Sequence, residues 1–167
     1  MALIVEDGSQ VTNSDSYVSR AVYIAYALTL GVTIADEEET DQKLRKAAIY
    51  ISSKESQLIG VRVDRDQSLA YPRSNLWIEG FYWEIDEIPT QVKNAQMNLA
   101  LDLEDGIDLY NLPQSDNVGI KKEKIEGAIE VEYSIAEGSK ISRKSSSQAL
   151  MSQLTSTSSF SIGLVMA

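Results

Sequence analysis

The chain contains no cysteine and no histidine. Without cysteine there are no disulfides, zinc-thiolate sites, iron–sulfur clusters or thiol nucleophile. Without histidine the commonest general base and any Ser-His-Asp triad are excluded. Proline is scarce at 3 residues, and only 12 residues are aromatic, 2 Trp, 8 Tyr and 2 Phe. No Walker loop, dinucleotide fingerprint or metal-ligand cluster appears. No run approaches the ~20 apolar residues of a membrane helix, and Met1–Asp7 lacks the basic start of a signal peptide. Neither an enzyme, a cofactor, a metal site nor a membrane partner is therefore expected.

What is present is acid. Over 167 residues, 25 acids against 15 bases give a net charge of −10, which disfavours broad duplex binding because phosphate contacts need a basic face. The charge is uneven: residues 1–116 hold 20 acids and 9 bases, whereas residues 117–167 hold 5 and 6, and nothing from Ser145 onward is charged. The expected organisation is an acidic helical body (1–116), a β-hairpin arm (117–135), and a short helix with an extended polar tail (136–167). The fold class expected is mainly α: a small bundle of three main helices with that arm and tail.

The helices follow from spacing. The first is expected to begin near Asn13–Ser16, with Tyr17, Ala21, Val22, Ala25 and Leu28 at helical intervals and Gly31 at its C-terminal end. The second spans Ala35 to Lys54, with Asp36–Glu39 in its first turn and Leu44, Ala47, Ala48 and Ile51 on one face. The third starts at Pro89, buries Val92, Ala95, Gln96, Leu99, Ala100 and Leu103, and stops at Gly106. Gln96 is the one polar member of that stripe. Residues 57–88 read as irregular. Ile120–Ile125 and Ala128–Tyr133 alternate as two strands around Glu126-Gly127, and Leu150, Met151 and Leu154 suggest a short helix near Ser147–Leu154. The Ser/Thr-rich remainder is expected to stay disordered until a partner orders it.

Three features are candidate contacts. Tyr71, Trp77, Phe81, Tyr82 and Trp83 cluster within thirteen residues. They offer either a platform for single-stranded bases or a loop packed on the helices or on a neighbouring subunit; the surrounding Glu79, Glu84, Asp86 and Glu87 favour packing. Lys121, Lys122 and Lys124, with Ile129, Val131 and Tyr133 on the second strand, suit either a nucleic-acid contact or an arm laid against the acidic body of another copy. Phe160, Ile162, Leu164 and Met166 share one face of an extended segment and suit docking on a portal or a neighbour. Asp102–Asp108 has a faint calcium-loop pattern, but its glycine and its twelfth position are wrong for one.

Several segments, taken in order, resemble a phage family. They are Val5-Glu6-Asp7-Gly8, Asn13-Ser14-Asp15-Ser16-Tyr17-Val18-Ser19, Ser68-Leu69-Ala70-Tyr71-Pro72-Arg73, Ile88-Pro89, Val92-Lys93-Asn94-Ala95 and the hairpin at 120–133. Over residues 3–135 the chain is similar to tailed-bacteriophage proteins often labelled DnaT-like single-stranded DNA-binding protein, which share size and layout with head-to-tail connector (adaptor) proteins. The resemblance implies one of two roles. One is single-stranded DNA binding in replication. The other is a structural ring, commonly of twelve copies, beneath the portal. That ring would touch portal and tail or tail-completion proteins, let duplex genome pass without specific binding, and reside in the virion after assembly in the host cytoplasm. The acidic body, whose walls would repel a passing duplex, makes the connector the expectation.

Overall fold

The structure is a computed structural model, and it describes residues 2–35, 37–110 and 146–155. Among these residues the order is α1 (Arg20–Thr29), α2 (Glu38–Ser53), a 3-10 turn (Glu55–Gln57), β1 (Val61–Arg62), β2 (Arg73–Ser74), β3 (Leu76–Ile78), β4 (Phe81–Trp83), α3 (Thr90–Glu104) and α4 (Ser146–Leu154). β1 pairs antiparallel with β2, and β3 with β4, as two separate two-stranded sheets. No helix among the described residues is long and apolar enough to cross a membrane.

The expected bundle of three main helices is overturned. Four helices and two small antiparallel sheets share one core. Strands of two or three residues are too short to show the period-two alternation by which a strand is read, so residues 57–88 looked irregular. The fourth helix is no appendage either. Its Met151 and Leu154 join the core, Ile59 N–H donates to the Leu154 carbonyl at 2.9 Å, and Leu58 bridges Thr155. The hairpin arm, the tail, and both expected domain boundaries fall outside the described residues.

Helices α2 and α3 form for the reasons their sequences give. Glu38, Glu39 and Asp41 occupy the first turn of α2, where carboxylates meet the positive helix end. Leu44, Ala47, Ala48 and Ile51 are fully buried against Val92, Ala95, Leu99 and Ala100 of α3, while Leu103 is half-buried. Gly106, with φ +76°, lies just past the end of α3, a conformation glycine adopts without steric cost. Helix α1 starts later than its sequence suggests. Its cap is Ser19, whose Oγ accepts from Val22 N–H at 3.4 Å.

Residues 13–18 serve instead as a docking strip. Asp15 accepts from Ile4 N–H (2.8 Å) and from Arg45 Nε (2.6 Å). Buried Glu6 accepts from the Gly8 and Gln10 amides and from Ser14 Oγ, which closes the intervening loop. Gly8, with φ +113°, passes so close to Asp86 that a Cβ there would overlap the Asp86 carbonyl oxygen. Gln96 explains the polar interruption of the α3 stripe. Completely buried, its Oε1 accepts from Tyr17 N–H (2.9 Å), and its Nε2 donates to Ser16 Oγ (2.8 Å) and the Leu44 carbonyl (2.9 Å).

Ion pairs brace the helices. Arg20 grips Asp41 through Nε (2.7 Å) and Nη2 (2.6 Å), a paired geometry that binds carboxylate strongly. Lys43 reaches Glu104 at 2.6 Å and Glu39 at 3.0 Å, joining α2 to α3; these carboxylates hold the Lys43 ammonium above its ordinary pKa.

Replacing Gln96 by Leu strands the Tyr17 amide in an apolar site. The expected loss is about 1–3 kcal/mol, read as a lowered urea midpoint with an unchanged slope. The Arg20 hydrogen bonds hold the Asp41 carboxyl below its ordinary pKa of 3.8. A lowered folded-state pKa contributes stability above the unfolded value and loses it as pH falls through the folded one. The advantage of wild type over Asp41→Asn in urea denaturation should therefore be full above about pH 5 and shrink steadily on further acidification.

Candidate nucleic-acid interface

The aromatic cluster divides in the structure. Tyr71 is fully buried, edge-on to Tyr17 at 6.2 Å between ring centroids, and its N–H donates to the Tyr17 hydroxyl at 3.2 Å. Burial pushes both phenols well above their ordinary pKa. Trp83 is half-buried beside the core. Trp77, Phe81 and Tyr82 instead face solvent at 58%, 73% and 46% exposure. The expectation of a packed loop thus holds for two rings, and three stand outside.

Register accounts for the split. Leu76 pairs with Trp83, Trp77 with Tyr82, and Ile78 with Phe81. Side chains alternate across a strand, so Leu76 and Ile78 enter the core while Trp77 and Tyr82 meet on the outer face, 5.4 Å apart between centroids. Phe81 is the exception: it pairs with Ile78, and its place beside the turn leaves it exposed. That turn is Glu79-Gly80, with φ +53° and +84°, the two left-handed residues of a type I′ hairpin. Glutamate is an unusual first residue there. An Asn-Gly pair between Leu-Trp-Ile and Phe-Tyr-Trp would have marked the hairpin in the sequence, whereas Glu-Gly does not.

The hairpin grows from a rigid base. Arg73 on β2 is 5% exposed. Its Nε donates to the Ile59 carbonyl (2.9 Å), Nη2 to Gly60 (2.8 Å) and Nη1 to Ala70 (3.4 Å). Nη1 is also 3.5 Å from Glu55, and the guanidinium lies 5.9 Å from the Tyr71 ring centre. The Ser-Leu-Ala-Tyr-Pro-Arg segment is therefore a structural clamp, with a cis Tyr71–Pro72 bond. The one base in the aromatic cluster is spent inside. Glu79, Glu84, Asp86 and Glu87 are all exposed, so the rim of the platform is acidic.

Elsewhere, a cleft of about 210 Å³ lies between α2, α3 and α4, lined among others by Tyr50, Lys54, Asp102, Ser147 and Met151. Ser147 Oγ donates to Asp102, and Lys54 sits over the Tyr50 ring at 5.3 Å, so its polar groups serve helix packing. No group of three acidic side chains placed to hold a metal occurs among the described residues. Lys121, Lys122, Lys124, Ile129, Val131 and Tyr133 lie outside the described residues, as do Phe160, Ile162, Leu164 and Met166.

A family described as "Putative DnaT-like ssDNA binding protein" matches residues 1–166. The chain belongs to this family. No curated protein and no solved structure matches it. The match to the DnaT-like family extends beyond the segments that carried the resemblance, and its description speaks of single-stranded DNA and not of a connector.

The clamp is testable apart from DNA. Arg73→Lys retains the charge but cannot fork to three carbonyls. It should cost about 2–4 kcal/mol in chemical denaturation, because buried carbonyls lose charge-assisted partners.

Proposed function

We propose that this DnaT-like protein binds single-stranded DNA by stacking bases on the β3–β4 hairpin. The observation that carries the reading is the solvent-facing pair Trp77 and Tyr82, with Phe81 exposed beside the turn, above a buried base. Large aromatic side chains seldom stand exposed together without a partner. Base stacking suits them because every base has a π-face, and each stacked base contributes about 1–3 kcal/mol. The membership in the DnaT-like family points the same way.

The acidic rim shapes how such binding behaves. Salt dependence measures how many phosphates the protein neutralises. A hairpin that carries no base, beside an Arg73 that is buried, neutralises few, so affinity should rest on stacking and respond weakly to salt. Glu79 opposes the DNA by its charge and strains the turn by its left-handed backbone. Asn there removes the charge and favours the turn.

Anisotropy of a labelled oligothymidylate tests this. Wild type should bind with a shallow salt slope between 50 and 200 mM, conditions across which phosphate-driven binders lose about 10³–10⁵ in affinity. Trp77→Ala should weaken binding about fivefold to a hundredfold, and Glu79→Asn should strengthen it. Absence of binding by a folded wild-type chain, or equal binding by Trp77→Ala, sinks the reading.

The charge favours a second reading. A chain of −10 with an acidic platform suits a protein partner better than a polyanion. The same hairpin then serves as a subunit contact in a connector ring of the virion, one that meets portal and tail proteins. Co-sedimentation with a portal protein, together with a ring-sized mass, would support it. A monomer that ignores portal and binds oligothymidylate would remove it.

A further inference from the structure

Helix α1 has a second apolar face that nothing among the described residues covers. From Ala21 through Ala35 no residue is charged. Tyr23 and Ala27 are buried, yet Val22 and Leu28 are 51% and 65% exposed, and Ala21 and Ala25 are exposed as well. Leu30 and Val32 continue the surface at 53% and 38%. A helix apolar on all sides is ordinarily buried on all sides.

The arrangement of that face says what fits it. At 3.6 residues per turn, Ala25 lies diametrically opposite the midpoint of Tyr23 and Ala27, at the centre of the exposed face. Val22 and Leu28 flank it, three residues to either side and about 60° around the helix in each direction. Such a face is self-complementary. Turned end for end about a two-fold axis through Ala25, Val22 of one helix meets Leu28 of the other, and Leu28 meets Val22, as an isologous contact requires. The small Ala25 lets the backbones approach. Antiparallel helices also oppose their dipoles favourably. Charge selects the same place: copies of a chain carrying −10 repel one another, and this face brings no like charges together.

We infer that a second copy of this chain covers α1, in an antiparallel two-fold contact centred on Ala25. The contact involves other residues than the hairpin and does not depend on the DNA reading. A helix of ten residues is about 15 Å long and buries less than the ~800 Å² per partner of a standard interface, so the dimer is reversible.

The absence of cysteine makes the test clean. In the full-length chain, Ala25→Cys should form a disulfide-linked dimer under mild oxidant much faster than Arg65→Cys, a control on an exposed turn. Sedimentation of wild type should show a concentration-dependent monomer–dimer equilibrium. Leu28→Glu, at an exposed position, should weaken that association about tenfold or more with an unchanged circular dichroism spectrum. Equal cross-linking of the two cysteine variants overturns the proposal, as does a wild-type monomer at every concentration. Unfolding of monomeric Leu28→Glu also overturns it, because that result places the cover within the chain. An assembly that survives Leu28→Glu overturns it too, since the copies then meet elsewhere.

Discussion

The Gln96 side chain holds together three parts of the chain that no shared sheet or helix connects. It accepts from the Tyr17 amide and donates to Ser16 and to the Leu44 carbonyl. An amide so deeply buried is tolerable only when its donors and acceptor are occupied, and here they are. The N-terminal strip cannot form a sheet, since its one backbone pairing is the bridge between Val5 and Ser16. Its position therefore depends on side chains: Gln96 on Tyr17, Arg45 on Asp15, and Glu6 on its own loop. That strip in turn meets the hairpin's end, where Gly8 lies against Asp86, and its Tyr17 packs on Tyr71 at the clamp.

Much of the helical frame is legible in the sequence. Leu44, Ala48, Ile51, Val92 and Leu99 repeat at helical spacing, and Pro89 and Gly106 bracket α3. Such signals are local and additive, so they survive without tertiary information. The misreadings have equally definite causes. Asn13, Ser14, Asp15 and Ser16 are all good capping residues, yet Ser14, Asp15 and Ser16 use their side chains in tertiary contacts, Asn13 has a left-handed backbone, and the cap falls to Ser19. Helix α1 gives no amphipathic contrast, since both its faces are apolar. Strands of two or three residues carry no period, and Glu79-Gly80 hides a hairpin that Asn-Gly would advertise. Arg73 is the one base beside the aromatic cluster in the sequence, and burial has turned it into a donor to carbonyls. Burial of a charged side chain is a property of the assembled fold, invisible to composition.

The candidate site shows the same division. Sequence identified the aromatic cluster and its acidic company but not which rings face outward, because that follows from strand register. Trp77 and Tyr82 share a face only when Leu76 and Ile78 take the other. Family membership names single-stranded DNA, whereas net charge resists it. The two are reconciled if stacking rather than phosphate neutralisation carries the affinity, a balance with little long-range attraction and hence slow encounter.

The hydrogen bond from Tyr17 to Gln96 has a consequence for dynamics. Amides in segments without helix or sheet ordinarily exchange with solvent water through small local openings. The Tyr17 amide sits in such a segment, yet its acceptor is 79 positions away in sequence and wholly buried. To release that proton the strip must leave both α2 and α3, which uncovers the Tyr17 ring and opens the core. An irregular stretch of chain thus carries an amide whose deuterium exchange reports the opening of the whole domain.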